Sequence, residues 1–280
     1  MTNEPRITLL HLSDLQFGPH HRFEGASSPG SLLNRLRDDL EKLQKEEDVR
    51  PDLVLLTGDL TEFGLKSHFD QMLSFAQGLA DVTELPARRI VIVPGNHDVN
   101  WKLSEAYFAE RAGNEEPTVL PYWPKLRSYA ELFARFYEGQ PGISFSEAEP
   151  YNLFDYPELR VVIAGLNSTI AESHRKDDHY GFFGEQQLRF FAQKLWPYKE
   201  SGVLRIAAVH HDPLNLGENE AARQDMKDFK GMLAPRRPRL RISPRWSTPT
   251  AAPGPTPIAG KLSLSLPPRA RTPTSPRASI

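Results

Sequence analysis

Short apolar runs alternate with amphipathic stretches along the first two hundred residues. Residues 6–12, RITLLHL, are apolar enough for a buried strand. A polar loop follows from Ser13 to Gly30. From Ser31, the segment SLLNRLRDDLEKLQKE places Leu32, Leu33, Leu36, Leu40 and Leu43 on one helical face, with Ser31 as its expected cap. Pro51 ends that segment. DLVLLT (52–57) reads as a second buried strand, a helix is expected near 66–80, and RIVIVP (89–94) reads as a third strand. Strand, helix, strand, helix, strand predicts an α/β domain with a parallel core.

Residues 101–150 are less regular. Helices are expected near 102–111 and 124–138, and the region reads as an insertion or partial lid. Tyr129, Phe133, Phe136 and Tyr137 have helical spacing, which suits packing of that helix better than ligand binding. YNLFDY (151–156) and LRVVIAGLNS (159–168) look like a hairpin pair of strands. A helix at 184–196 and a buried strand VLRIAAV (203–209) follow, and the strand runs directly into His210 and His211.

The pattern breaks near residue 233. Residues 234–280 hold 11 of the 25 prolines, eight Arg, one Lys and no Asp or Glu. With a net charge of −2 for the whole chain and +9 for this segment, residues 1–233 carry −11. The segment cannot bury a core and is expected to be a disordered tail beside a folded domain at 1–233. Its Arg content would suit nucleic acid or phosphate-rich surfaces, but a segment without an evolved role explains it as well. An acidic body argues against a nonspecific nucleic-acid binder. The chain has no cysteine, which excludes disulfides, thiolate metal sites and cysteine nucleophiles. No apolar run has the length of a membrane span and no signal peptide is recognisable, so a soluble cytoplasmic protein is expected.

The candidate chemistry sits at four strand ends: Asp14-x-Gln16, Gly58-Asp59, Gly95-Asn96-His97-Asp98, and His210-His211. Taken singly, each block has an ordinary explanation as a turn or a cap. Together they gather carboxylate, amide and imidazole groups at the edge where α/β sheets bind ligands. Such donors suit Mn, Fe, Zn or Mg.

HLSDLQFG, LLTGDLTEFG, VIVPGNHDVN and AAVHHDP, in this order and spacing, resemble the metal-binding blocks of calcineurin-like metallophosphoesterases over roughly residues 6–215. The resemblance implies a two-sheet α/β sandwich flanked by helices in four layers. It also implies two divalent ions and hydrolysis of phosphomonoesters or phosphodiesters. It assigns Asp14 and Gln16 to the first ion, Asp59 to both, and Asn96 and His210 to the second. His97 would protonate the leaving oxygen, with Asp98 orienting it. His211 is the weaker candidate of its pair. His20, His21, His174 and His179 read as solvated loop residues, His20 and His21 lying in the first site loop.

Two departures from the family pattern stand out. Gln16 replaces the commoner His, which favours Mn or Mg over Zn there. No Gly-His-x-His block follows the His210 strand: after a helix expected at 218–233, the sequence reads PRLRISPRW. The fold is therefore expected to be incomplete at its C-terminus, with an open sheet edge, as a shifted reading frame or truncated gene product would leave it. Two alternatives follow. One is a weak or inactive phosphoesterase-fold protein serving only as a binding module. The other is a nuclease of the DNA-repair type, which the acidic body disfavours.

Overall fold

The structure, a computed structural model, describes residues 6–19, 29–199 and 201–212, together with the backbone of two strands at 242–245 and 260–265. The first half follows the predicted alternation. Strand β1 (Arg6–Leu12) leads to helix α1 (Pro29–Glu47), β2 (Leu53–Thr57), α2 (Lys66–Thr83) and β3 (Ile90–Val93). Helix α1 starts two residues before Ser31, so Ser31 lies inside the helix rather than capping it. Pro29 explains the earlier start: its fixed φ and missing N–H suit the first helical position.

β1, β2 and β3 pair in parallel, with Leu9 opposite Leu53 and Val54 opposite Ile90. Every residue of β2 and β3 is buried, as expected for strands covered on both faces. β3 is an edge strand of this sheet. Its open carbonyls are met by tyrosines: Tyr129 donates its hydroxyl to Ile92 and Tyr137 to Ile90. Both residues belong to the region of α4 (Arg127–Phe136), whose Tyr129, Leu132, Phe133 and Phe136 are buried in the main core. The aromatic stretch therefore packs a helix, as its spacing predicts. It also makes α4 a core element, not part of a lid. From the 101–150 region, the first turn of α3 (Trp101–Gly113) lines a groove shared with His97.

The second sheet holds β4 (Asn152–Tyr156), β5 (Val161–Gly165) and β6 (Leu204–Ala208), with β4 and β5 antiparallel and β5 and β6 parallel. Its strands alternate between two environments. Val161 and Ile163 enter the core shared with the first sheet, whereas Val162 and Ala164 face a second cluster under α5 (Glu185–Leu195). This is the period of two expected of a strand buried on both faces.

Two further strands, β7 (Ile242–Arg245) and β8 (Gly260–Ser265), lie inside the segment whose composition predicts no order. β8 runs antiparallel to β1, Leu9 opposite Leu262, and β7 pairs with β8. The edge of β1 expected to stay open is therefore covered. The predicted helix at 218–233 falls outside the described residues. Among those described, no helix is long and apolar enough to cross a membrane.

One buried charge ties the loops together. Lys125 is 1% exposed and donates to the carbonyls of Thr169, Ile170 and Glu172, with its ammonium 4.9 Å from the Tyr122 ring centre. Burial pushes the amine down to about 7, against the pull of the Glu172 carboxylate. Lys125→Met keeps the chain length but strips three carbonyls of their donor. It should lower stability by about 3 kcal/mol in urea unfolding. An unchanged midpoint and slope would show that these bonds contribute nothing net.

Candidate functional site

Each sequence-predicted block sits one to three residues beyond the carboxyl end of its strand: Asp14 after β1, Asp59 after β2, Asn96 after β3 and His210 after β6. The first two loops are laced together by backbone bonds. Asp14 N–H donates to the Gly58 carbonyl (3.1 Å), Gln16 N–H to that of Asp59 (2.8 Å) and Phe17 N–H to that of Leu60 (2.9 Å). Asp14, Gln16 and Asp59 all adopt left-handed backbone, with φ of 59°, 48° and 50°. Such conformations are uncommon outside glycine and gather at functional sites, where the surrounding structure holds them. The Asp14 carboxylate also accepts from the Ser13 hydroxyl at 2.6 Å.

The tightest convergence involves three side chains from both sheets. His210 Nε2 lies 3.2 Å from Asp59 Oδ1 and 3.1 Å from Asn96 Oδ1. Two glycines make room for it. Gly58 has a φ of 79°, and a Cβ there would stand 2.6 Å from the His210 ring. A Cβ on Gly95 would stand 2.4 Å from Asp59 Oδ1. The glycine before Asn96 thus serves close approach, and its φ is −112°.

The tautomer of His210 decides what this cluster can hold. Its Nδ1 lies 2.9 Å from the Thr57 carbonyl, an acceptor only, so Nδ1 carries the proton and donates. In the neutral ring Nε2 is then a lone pair, facing two oxygens. Either a proton on Nε2 or a metal ion joins three such atoms, and carbonyl-anchored imidazole is how metal-ligating histidines are oriented. The donor set fits a divalent ion. Among the described residues no three His, Asp or Glu side chains close on one point, and the set here is one carboxylate, one imidazole and one amide.

His97 and Asp98 part company. His97 Nδ1 is 2.9 Å from the Glu62 carbonyl, and Nε2 is 4.0 Å from Asp59 Oδ2. Asp98 does not orient it. The Asp98 carboxylate is fully buried and accepts from the backbone N–H groups of Leu60, Thr61 and Gly95 and from the Thr61 hydroxyl. Burial, then the neighbouring Asp59 carboxylate, pushes Asp98 up to about 7. The two residues diverge because 96–98 form a 3-10 turn, which rotates side chains by about 120° per residue.

The sequence model of calcineurin-like phosphoesterases matches residues 7–234. The chain belongs to this family. No curated protein sequence matches it. The remaining histidines of this phosphoesterase have other surroundings. His211 Nδ1 lies 2.8 Å from the Ser168 hydroxyl, and burial followed by His210 lowers its pKa to about 4. His174 packs edge-on against Phe108, and His179 stacks on Trp101, so both are tied into aromatic contacts rather than merely solvated. His20 and His21 lie outside the described residues. The carbonyls of Thr57 and Glu62, which lie against the imidazoles of His210 and His97, are invisible to a motif because any residue type carries them. Thr61, by contrast, sits in plain view in the Gly-Asp-Leu-Thr block.

Asp98→Asn can accept on one oxygen only, and it brings an amide to a point surrounded by donors. It should lower the melting temperature and the metal content together while leaving the acid limb of the pH–rate profile in place. Movement of that limb at full metal content would restore the His97-orienting role.

Proposed function

We propose that this phosphoesterase hydrolyses phosphomonoesters or phosphodiesters at a centre of two divalent ions, with Mn the favoured metal. The observation that carries the reading is the convergence of His210 Nε2, Asp59 Oδ1 and Asn96 Oδ1 in a tautomer that leaves all three as electron donors. These residues would hold one ion, and Asp14 and Gln16 would share Asp59 with the other. When bound, such ions polarise a phosphoryl oxygen and lower the pKa of a coordinated water. The chain's own part is positioning and proton supply. With Nδ1–H committed to the Glu62 carbonyl, His97 would hand a proton to the leaving oxygen from Nε2, which carries one only in the imidazolium form. The strand-end loops keep the donors fixed before substrate arrives. The four-layer sandwich and a cytoplasmic location belong to the same reading.

His97→Ala should lower kcat by about 100-fold while metal content stays at the wild-type level. Unchanged kcat in a metal-loaded variant would remove His97 from the chemistry. Asp59→Asn should deplete both ions together in elemental analysis, because one side chain serves both. Loss of one ion alone would make Asp59 a ligand to that ion only.

A second reading, a binding module of the same fold with little turnover, draws on the donor set of the first ion. Asp14, Gln16 and Asp59 include no imidazole, so that ion should be held more weakly than its neighbour. Reconstitution with Mn, Fe, Zn and Mg in turn, followed by assays on aryl phosphates, phosphodiesters, cyclic nucleotides and single-stranded DNA, separates the two readings. It also tests the nuclease alternative.

A further inference from the structure

Three of the large hydrophobic side chains left exposed stand around one groove: Phe63 (48% exposed), Leu65 (40%) and Trp101 (39%). Val99 completes the apolar wall, and His97 lines the same cavity, whose volume is about 420 Å³. Three polar residues, Glu62, Asn100 and Lys102, share the rim of the groove. Asn100 accepts from Leu103 N–H at 3.0 Å as the cap of α3 and donates toward the Gly64 carbonyl, and Lys102 pairs with Glu105 at 3.0 Å. Trp101 is held in place by the His179 ring, stacked at 4.7 Å and 22°. His179 Nε2 in turn lies 3.5 Å from the buried Glu172 carboxylate. A fixed indole at the mouth of an apolar cleft is a surface for another flat ring.

We infer that this groove is the leaving-group subsite, and that the substrate is a phosphate ester whose leaving group carries a flat aromatic ring. The inference rests on the proposed hydrolase reading and on the place of His97. Displacement at phosphorus runs in line, so the leaving oxygen departs opposite the attacking water. The water oxygen forms the new P–O bond. The leaving oxygen keeps the electron pair of the broken bond and takes a proton from His97, and the proton lost by water returns His97 to its starting form through solvent. The group attached to that oxygen must then lie beyond His97, where the apolar wall begins. A sugar or amino-acid side chain would set polar groups against the apolar faces of Phe63, Leu65 and Trp101. An aromatic ring would cover them and stack on Trp101.

The test compares phenyl phosphate with 2-naphthyl phosphate, whose leaving phenols have similar acidity, in the metal-loaded full chain. The naphthyl ester should be favoured in kcat/KM by about tenfold, the usual size of discrimination by added apolar surface in a pocket. Trp101→Ala and Phe63→Ala should each shrink that ratio toward one, and Trp101→Phe should restore part of it. Binding gives a second readout. By calorimetry, (2-naphthylmethyl)phosphonate should bind about tenfold more tightly than methylphosphonate, and Trp101→Ala should abolish the difference. Equal turnover of both esters, or a preference that survives both alanine variants, overturns the subsite and leaves the phosphoesterase reading intact. Trp101-dependent binding without turnover of any ester overturns the hydrolase reading and the leaving-group assignment with it.

Discussion

Two carboxylates buried side by side, Asp59 and Asp98, set the terms for this edge of the molecule. Both are almost sealed from solvent, at 5% and 0% exposed. Burying one ionised carboxylate is costly unless its oxygens are hydrogen-bonded or paired, and burying two together adds their repulsion. The fold handles them differently. Asp98 receives three backbone N–H groups and a hydroxyl, which satisfies it without a counter-ion. Asp59 receives one backbone N–H from His97, and the imidazoles of His97 and His210 stand 4.0 and 3.2 Å from its carboxylate oxygens. The difference in donors makes Asp98 a structural anchor and leaves Asp59 with few donors of its own, as the proposed ligand role requires.

That division explains why the donors come from both sheets. His210 follows β6 in the second sheet, while Asp59 and Asn96 follow β2 and β3 in the first. Contact between them requires the sheets to share a core, which Phe154, Val161, Ile163 and Ala208 form with Leu9, Leu56 and Ile92. It also requires bare backbone at Gly58, where His210 comes closest. A side chain at that position would separate the imidazole from the carboxylate, so the packing of the two sheets and the geometry of the site are one constraint.

Much of this was legible from patterns of residue type. The apolar runs of β2, β3 and β5 report burial directly, the leucine face of α1 buries Leu36 and leaves its other leucines half-buried, and the four polar blocks stand out against the strands that carry them. What stayed hidden has physical causes. The pairing of His97 with Asp98 looked natural because the two are neighbours, but a 3-10 turn sends adjacent side chains to different sides. Lys125 gives no sign of burial in sequence, since its three acceptors are carbonyls more than forty residues away. β8 was lost in an average: GKLSLS alternates apolar and small polar residues with a period of two, but the surrounding proline and arginine dominate the composition.

The loop from Gly95 to Trp101 shows how densely function can be written once backbone geometry is fixed. Gly95 admits the Asp59 carboxylate, Asn96 turns its amide oxygen to His210, and His97 faces Asp59 and the groove. Asp98 points inward to hold the neighbouring loop, Val99 lines the groove, Asn100 caps α3 and Trp101 forms the far wall. Seven successive residues reach different surroundings because the chain changes from extended backbone at Gly95 to 3-10 turn to α-helix within them, and each change redirects the next side chain. The Asn100 cap is the link between the two halves. By bonding Leu103 N–H it fixes where α3 begins, and that sets the indole of Trp101 relative to His97. A shift of the α3 start would move the groove wall without touching the donors of the proposed metal centre. The proposed leaving-group subsite and the proposed ion site are therefore separable in this fold, although one loop carries residues for both.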